Sequence, residues 1–154
     1  MPRISFENLP KPLLDCMMHT EQYLKTLDLV DKSFMEVLQY YVSIMNKCAY
    51  CIDMHFKEAI AAGESELRIY SSPTWRDVNF YSEKEQALLA WTESITLLLG
   101  NSDVDRQKLF DHLSQFFNTD EIANITLAIM QINSWNRLVK SFGFEAGVYQ
   151  VGQH

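Results

Sequence analysis

Apolar residues recur along this chain at intervals of three and four and nowhere alternate, a pattern that restricts it to packed helices. From Leu13 to about Leu27, the residues Leu13, Leu14, Met17, Met18, Leu24 and Leu27 fall on one helical face. Asp28 to Asp31 reads as a break. A second helix follows from Lys32 to about Met45 through Phe34, Val37, Leu38, Tyr41, Val42 and Met45. Asn46 suits the N-cap of a third, from Lys47 to Ala62, and Gly63 supplies the left-handed residue that commonly ends a helix. A short helix over Glu64 to Tyr70 comes next. Ser71, Ser72 and Pro73 then interrupt the pattern, and Pro73 to Tyr81, with three aromatics and no period, reads as a packed loop.

Ser82 with Glu85 three residues later is a capping-box signal, and Ala87, Leu88, Trp91, Ile95 and Leu98 carry the stripe on towards Gly100. Asp103 can cap a helix through Leu109, Leu113 and Phe116. Thr119 can cap the last long one, from Asp120 to about Ser141, closed by Gly143. That last helix is apolar on more than one face. Ile122, Ile125, Ile129 and Ile132 form one row while Leu127, Met130 and Leu138 lie elsewhere, so it belongs at the centre of the fold or at an interface. The expectation is an all-α, single-domain bundle of about six to seven helices spanning residues 1–154.

With only 5 glycines and 4 prolines in 154 residues, a turn-rich barrel or sandwich is excluded. A chain of this length buries enough surface to fold without metal or disulfide support. The formal charge of −7 argues against a nucleic-acid partner, whose phosphates need a basic face. No run approaches the ~18 apolar residues of a membrane span, and Met1 to Pro12 resembles neither a secretory signal nor a transit peptide. A cytoplasmic setting is expected, without a membrane partner. Of the 3 cysteines, Cys16 reads as a small buried hydrophobe.

The other two need a different account. Cys48, Cys51 and His55 stand at i, i+3 and i+7, so one helix puts all three on one face. Near a helix N-terminus the dipole and free amides favour the thiolate, and His55 can accept a proton. The dipole favours Cys48 as the more acidic thiol, whereas contact with the imidazole favours Cys51. If the preceding helix reverses at about Asn46 and Lys47, Glu36 faces roughly residue 57, within a turn of His55. Glu36 could then orient the imidazole and raise its basicity. A thiol pair so placed can reduce a peroxide, one sulfur becoming a sulfenic acid and its neighbour condensing with it.

Glu36, the run from Val42 to His55 (Val42 Ser43 Ile44 Met45 Asn46 Lys47 Cys48 Ala49 Tyr50 Cys51 Ile52 Asp53 Met54 His55) and Asn133 Ser134 Trp135 Asn136 Arg137 resemble the carboxymuconolactone decarboxylase family. The AhpD-like alkylhydroperoxidase branch is the most similar, over about residues 13 to 145. The specific part is a glutamate twelve residues before Cys-x-x-Cys-x-x-x-His. The resemblance implies an all-helical fold, a homo-oligomer, a hydroperoxide substrate, no cofactor, and an antioxidant role. It implies Cys51 as the peroxide-attacking thiol, Cys48 as its proton donor and resolving partner, and Glu36 with His55 as the proton relay. The electron donor implied is a dithiol, lipoyl-bearing or thioredoxin-like. Tyr50 departs from the histidine that founding members carry between the cysteines.

Alternative readings of the same residues are a lactone-decarboxylating lyase, whose true members lack the cysteine pair, and a non-catalytic helical interaction module. In the module the cysteines and His55 would be inert or would hold zinc, for which a fourth ligand is missing. Trp75, Trp91 and Trp135 read as core or interface, the methionines as gap-filling core, and Arg137 as the partner of a carboxylate. His19, His112 and His154 have no chemical context.

Overall fold

The computed structural model describes residues 2–98 and 102–153. Among these residues there is no strand, and the α-helices are α1 (Lys11–Lys25), α2 (Lys32–Met45), α3 (Ala49–Ala61), α4 (Glu66–Ser71), α5 (Glu83–Leu97), α6 (Asp103–Leu113) and α7 (Thr119–Phe142). The all-α reading holds. The expected end of α5 at Gly100, and His154, lie outside the described residues. Among the described residues no helix is long and apolar enough to cross a membrane.

Reciprocal capping starts α5 and α7. Ser82 and Glu85 form the expected box on α5. For α7 the cap is Asn118 rather than Thr119, because Glu121 stands three residues after Asn118 and returns a bond to its amide. Ser102, whose side chain accepts from the Asp105 amide and donates to the Asp105 carboxylate, caps α6 in place of Asp103. The stretch expected as a loop after Ser72 instead contains a 3₁₀ helix over Ser72–Asp77, with Pro73 in its first turn and Trp75 buried. Gly63 and Gly143 both take positive φ at helix ends, as expected.

α2 folds back on α3 and also contacts α4, α5 and α7, while α7 contacts α1, α2, α3 and α5, so α2 and α7 together form the middle of the bundle. The core gathers Phe34, Val37, Leu38 and Tyr41 of α2, Leu88, Leu89 and Trp91 of α5, and Ile122, Ile125, Ile129 and Ile132 of α7. α1 has no fully buried residue, and Cys16 on it is exposed rather than buried.

Arg68 of α4 locks the outer edge of this core. Its guanidinium donates to Glu64 (3.0 Å), to Glu85 and to the Phe80 carbonyl (2.7 Å), and lies 5.0 Å from the Tyr81 ring centroid. Burial opposes its charge, but Glu85 and Glu64 outweigh this and raise its pKa. Removing the guanidinium leaves two half-buried carboxylates without their counter-ion. Arg68→Ala is therefore expected to lower the unfolding free energy by about 3 kcal/mol, read from the urea midpoint. A loss below about 1 kcal/mol would mean the pairs behave as surface ion pairs.

Candidate active site

The turn between α2 and α3 sets the position of the cysteine pair. Asn46 closes α2 as its C-cap, Lys47 takes a left-handed φ of 55°, and Cys48 sits in extended conformation as the N-cap of α3. The expected N-cap at Asn46 is thus displaced by two residues, because a non-glycine residue at positive φ absorbs the reversal. Cys48 and Cys51 meet as a disulfide with Cα atoms 5.3 Å apart, and each is only 2% exposed. Cys48 makes no side-chain cap bond, and its amide donates back to the Ser43 carbonyl (3.0 Å).

Buried asparagines of α7 hold this turn. Asn46 Nδ2 donates to Asn133 Oδ1 (2.8 Å) and Asn136 Oδ1 (2.9 Å), and Asn136 Nδ2 donates to Ser43 Oγ (3.2 Å). Lys140 Nζ donates to the Asn46 carbonyl (3.0 Å). Arg137 does not pair with a carboxylate as expected but donates to the Asn133 carbonyl and side chain. Asn133 and Asn136 have no role in the helical pattern alone. The available signal was the placing of amides inside an otherwise apolar helix, which demands buried partners.

His55 lies on the same face of α3 one turn beyond Cys51 and is 4% exposed. Its Nδ1 is 2.8 Å from Glu36 Oε2, so the α2–α3 reversal brings together the residues the register pointed to. In the neutral tautomer whose Nδ1 donates to the carboxylate the lone pair is on Nε2, an atom that is buried and has no hydrogen-bond partner among the described residues. Among the described residues no group of three or more His, Cys, Asp or Glu side chains is placed to hold a metal ion.

Tyr50, between the cysteines, is packed rather than free. Its ring meets Phe144 at 5.8 Å and Tyr149 at 6.3 Å, both edge-on. Burial, with Asp53 adding to it, raises the Tyr50 pKa, so the phenol keeps its proton and is no base near neutrality. Leu138, Val139 and Phe144 complete an apolar collar around the two sulfurs.

The sequence profile of the carboxymuconolactone decarboxylase family matches residues 12–94. YdfG, an uncharacterized protein of Bacillus subtilis, is 35% identical over 144 residues, which span 94% of this chain and 96% of YdfG. A protein of unknown function from Agrobacterium tumefaciens, described as a candidate antioxidant defence protein AhpD, has a crystal structure that superposes with a TM-score of 0.86. It is 33% identical, over 97% of this chain and 100% of that one. The AhpD core of an uncharacterized peroxidase-related protein from Ralstonia eutropha shares the fold at 18% identity, with a TM-score of 0.73 over 90% of this chain and 73% of that one.

Proposed function

Because the chain belongs to the carboxymuconolactone decarboxylase family, we propose that it is a thiol-dependent hydroperoxidase and disulfide oxidoreductase of the AhpD-like branch, with an antioxidant role. The observation that carries this reading is the part-buried Glu36–His55 pair one helical turn from a cysteine pair close enough to bond.

In the reduced site His55 Nε2 takes the proton of Cys51, with Glu36 holding the imidazole in the required tautomer and stabilising the imidazolium. The Cys51 thiolate attacks the terminal oxygen of a hydroperoxide. The O–O bond breaks, Cys51 becomes a sulfenic acid, and the alkoxide leaves as an alcohol with the proton of Cys48. The Cys48 thiolate then attacks the Cys51 sulfur, the S–O bond breaks, and the departing hydroxide takes the proton held on His55 and leaves as water. One hydroperoxide and two thiols thus become one alcohol, one water and one disulfide. An external dithiol, lipoyl-bearing or thioredoxin-like, restores the thiols and leaves as its own disulfide. A homo-oligomer in the cytoplasm is part of the same proposal.

The test is intact mass. In a Cys16→Ser background, which removes the exposed third thiol, the reduced chain receives one equivalent of an organic hydroperoxide without reductant. Loss of two hydrogens is the expected result, and an unchanged mass would overturn the reading.

A further inference from the structure

Beyond α7 the chain does not leave the molecule but runs back along the outer face of α3. The Gly147 amide donates to Asp53 Oδ2 (3.0 Å), Lys57 Nζ donates to the Tyr149 carbonyl (3.0 Å), the Tyr149 hydroxyl donates to Glu58, and the Gly152 amide donates to Glu58 Oε1 (2.9 Å). Burial favours the neutral form of Glu58, yet the bonds from Tyr149 and Gly152 outweigh it and hold the carboxyl below its ordinary pKa. Tyr149 is the best-buried residue of this segment, 3% exposed. Phe144, which leads into it, meets Phe6 at 6.3 Å and is part of the collar over the sulfurs. The segment therefore grips Tyr50 between Phe144 and Tyr149 and is fastened to the three α3 side chains Asp53, Lys57 and Glu58.

We infer that residues 144–152 form a strap that determines which reductants reach the Cys48–Cys51 disulfide, with Tyr149 on Glu58 as its latch. This inference rests on the redox reading of the cysteine pair. A thiolate attacks a disulfide along the S–S axis and needs the far side of one sulfur open. Both cysteines are 2% exposed and Phe144 packs against them, so a sulfur carried on a protein has no approach while Phe144, and Tyr50 held by Tyr149, stay in place. In the exchange, one thiolate of the dithiol bonds to a cysteine sulfur and the S–S bond breaks. The released cysteine takes a proton, and the second thiol of the donor displaces the other cysteine as a thiol while the donor closes to its disulfide. A small phosphine needs far less clearance. Unlatching therefore accelerates the protein dithiol selectively.

The experiment compares the rates at which reduced thioredoxin and tris(carboxyethyl)phosphine reduce the disulfide in the full chain and in Tyr149→Ala. Hydrogen exchange at Gly147 and Gly152 reports whether the strap is open. With those amides deprotected and α3 and α7 still protected, the thioredoxin rate rises about tenfold or more, in line with loss of a hydrogen bond to a charged group. The phosphine rate changes less than about twofold. A thioredoxin-to-phosphine ratio equal to that of the native chain, in a variant whose strap amides are deprotected, would overturn the inference. If Tyr149→Ala keeps the amides protected, Gly147→Pro opens the strap through the backbone. Gly147 has φ +90° and its amide is bonded to Asp53, and proline can supply neither. The same ratio decides there, with the Gly152 amide reporting the opening. The disulfide for this test is formed with any oxidant, so its outcome is separate from whether hydroperoxide forms it.

Discussion

Cys51→Ser is expected to abolish hydroperoxide consumption, by about 10³-fold or more, while Cys48→Ser retains a single turnover that adds one oxygen to the chain. The two outcomes differ because the proposed roles differ. Serine at 51 offers a hydroxyl that is far less nucleophilic than a thiolate. Serine at 48 leaves the attacking thiol intact but removes both the thiol proton passed to the alkoxide and the sulfur that would displace the hydroxide, so the single turnover is slower and a sulfenic acid persists on Cys51. Neither change should disturb the fold. Position 48 is the N-cap of α3, where serine is among the favoured residues, and position 51 needs only a small side chain. Intact mass after one equivalent of hydroperoxide, with the helical circular dichroism signal alongside, checks both. Oxygen found on Cys48 in the Cys51→Ser variant, at the native rate, would reverse the two roles.

Glu36→Gln is expected to slow hydroperoxide consumption by about 10²-fold with little loss of stability. Glutamine keeps an oxygen within reach of His55 Nδ1, so the ring orientation survives, but the negative charge that stabilises an imidazolium is gone. Helix α2 has its own cap at Asp31 and a deep apolar face, neither of which uses Glu36. Stopped-flow consumption of an organic hydroperoxide under single-turnover conditions measures the effect. A rate within about threefold of native would make Glu36 a structural partner of His55 only.

The Glu36–His55 contact was legible because both residues lie in strongly periodic helices joined by a turn too short to allow any other pairing. The cap positions were less so, for a local reason: Asn118 and Thr119, like Ser102 and Asp103, are adjacent residues that can each cap, and only the partner three residues on separates them. Nothing in local propensity marks Lys47 for positive φ or Cys48 for the N-cap. That geometry is imposed from outside, by Asn133 and Asn136 about 90 residues away in sequence. The segment around Tyr149 was equally silent, since its partners on α3 lie more than 90 residues earlier and it carries no period of its own. The short 3₁₀ helix after Ser72 was hidden by Pro73, which signals a turn and a first helical turn alike.

The N-cap position of Cys48 ties the redox equilibrium of the pair to the integrity of a helix end. In the disulfide the sulfur carries no charge and makes no cap bond, so the first amides of α3 face an uncharged thioether-like atom. In any reduced state where Cys48 is a thiolate, those amides and the helix dipole face an anion, a stabilisation of about 0.3–1 kcal/mol at such a site. A thermodynamic cycle makes the two effects one quantity: whatever the helix gains from the thiolate is withdrawn from the disulfide. At 30 mV for 1.4 kcal/mol, the reduction potential moves upward by roughly 6–20 mV. The helix end thus biases the pair towards those reduced states in which Cys48 is ionised, through the register of α3 alone.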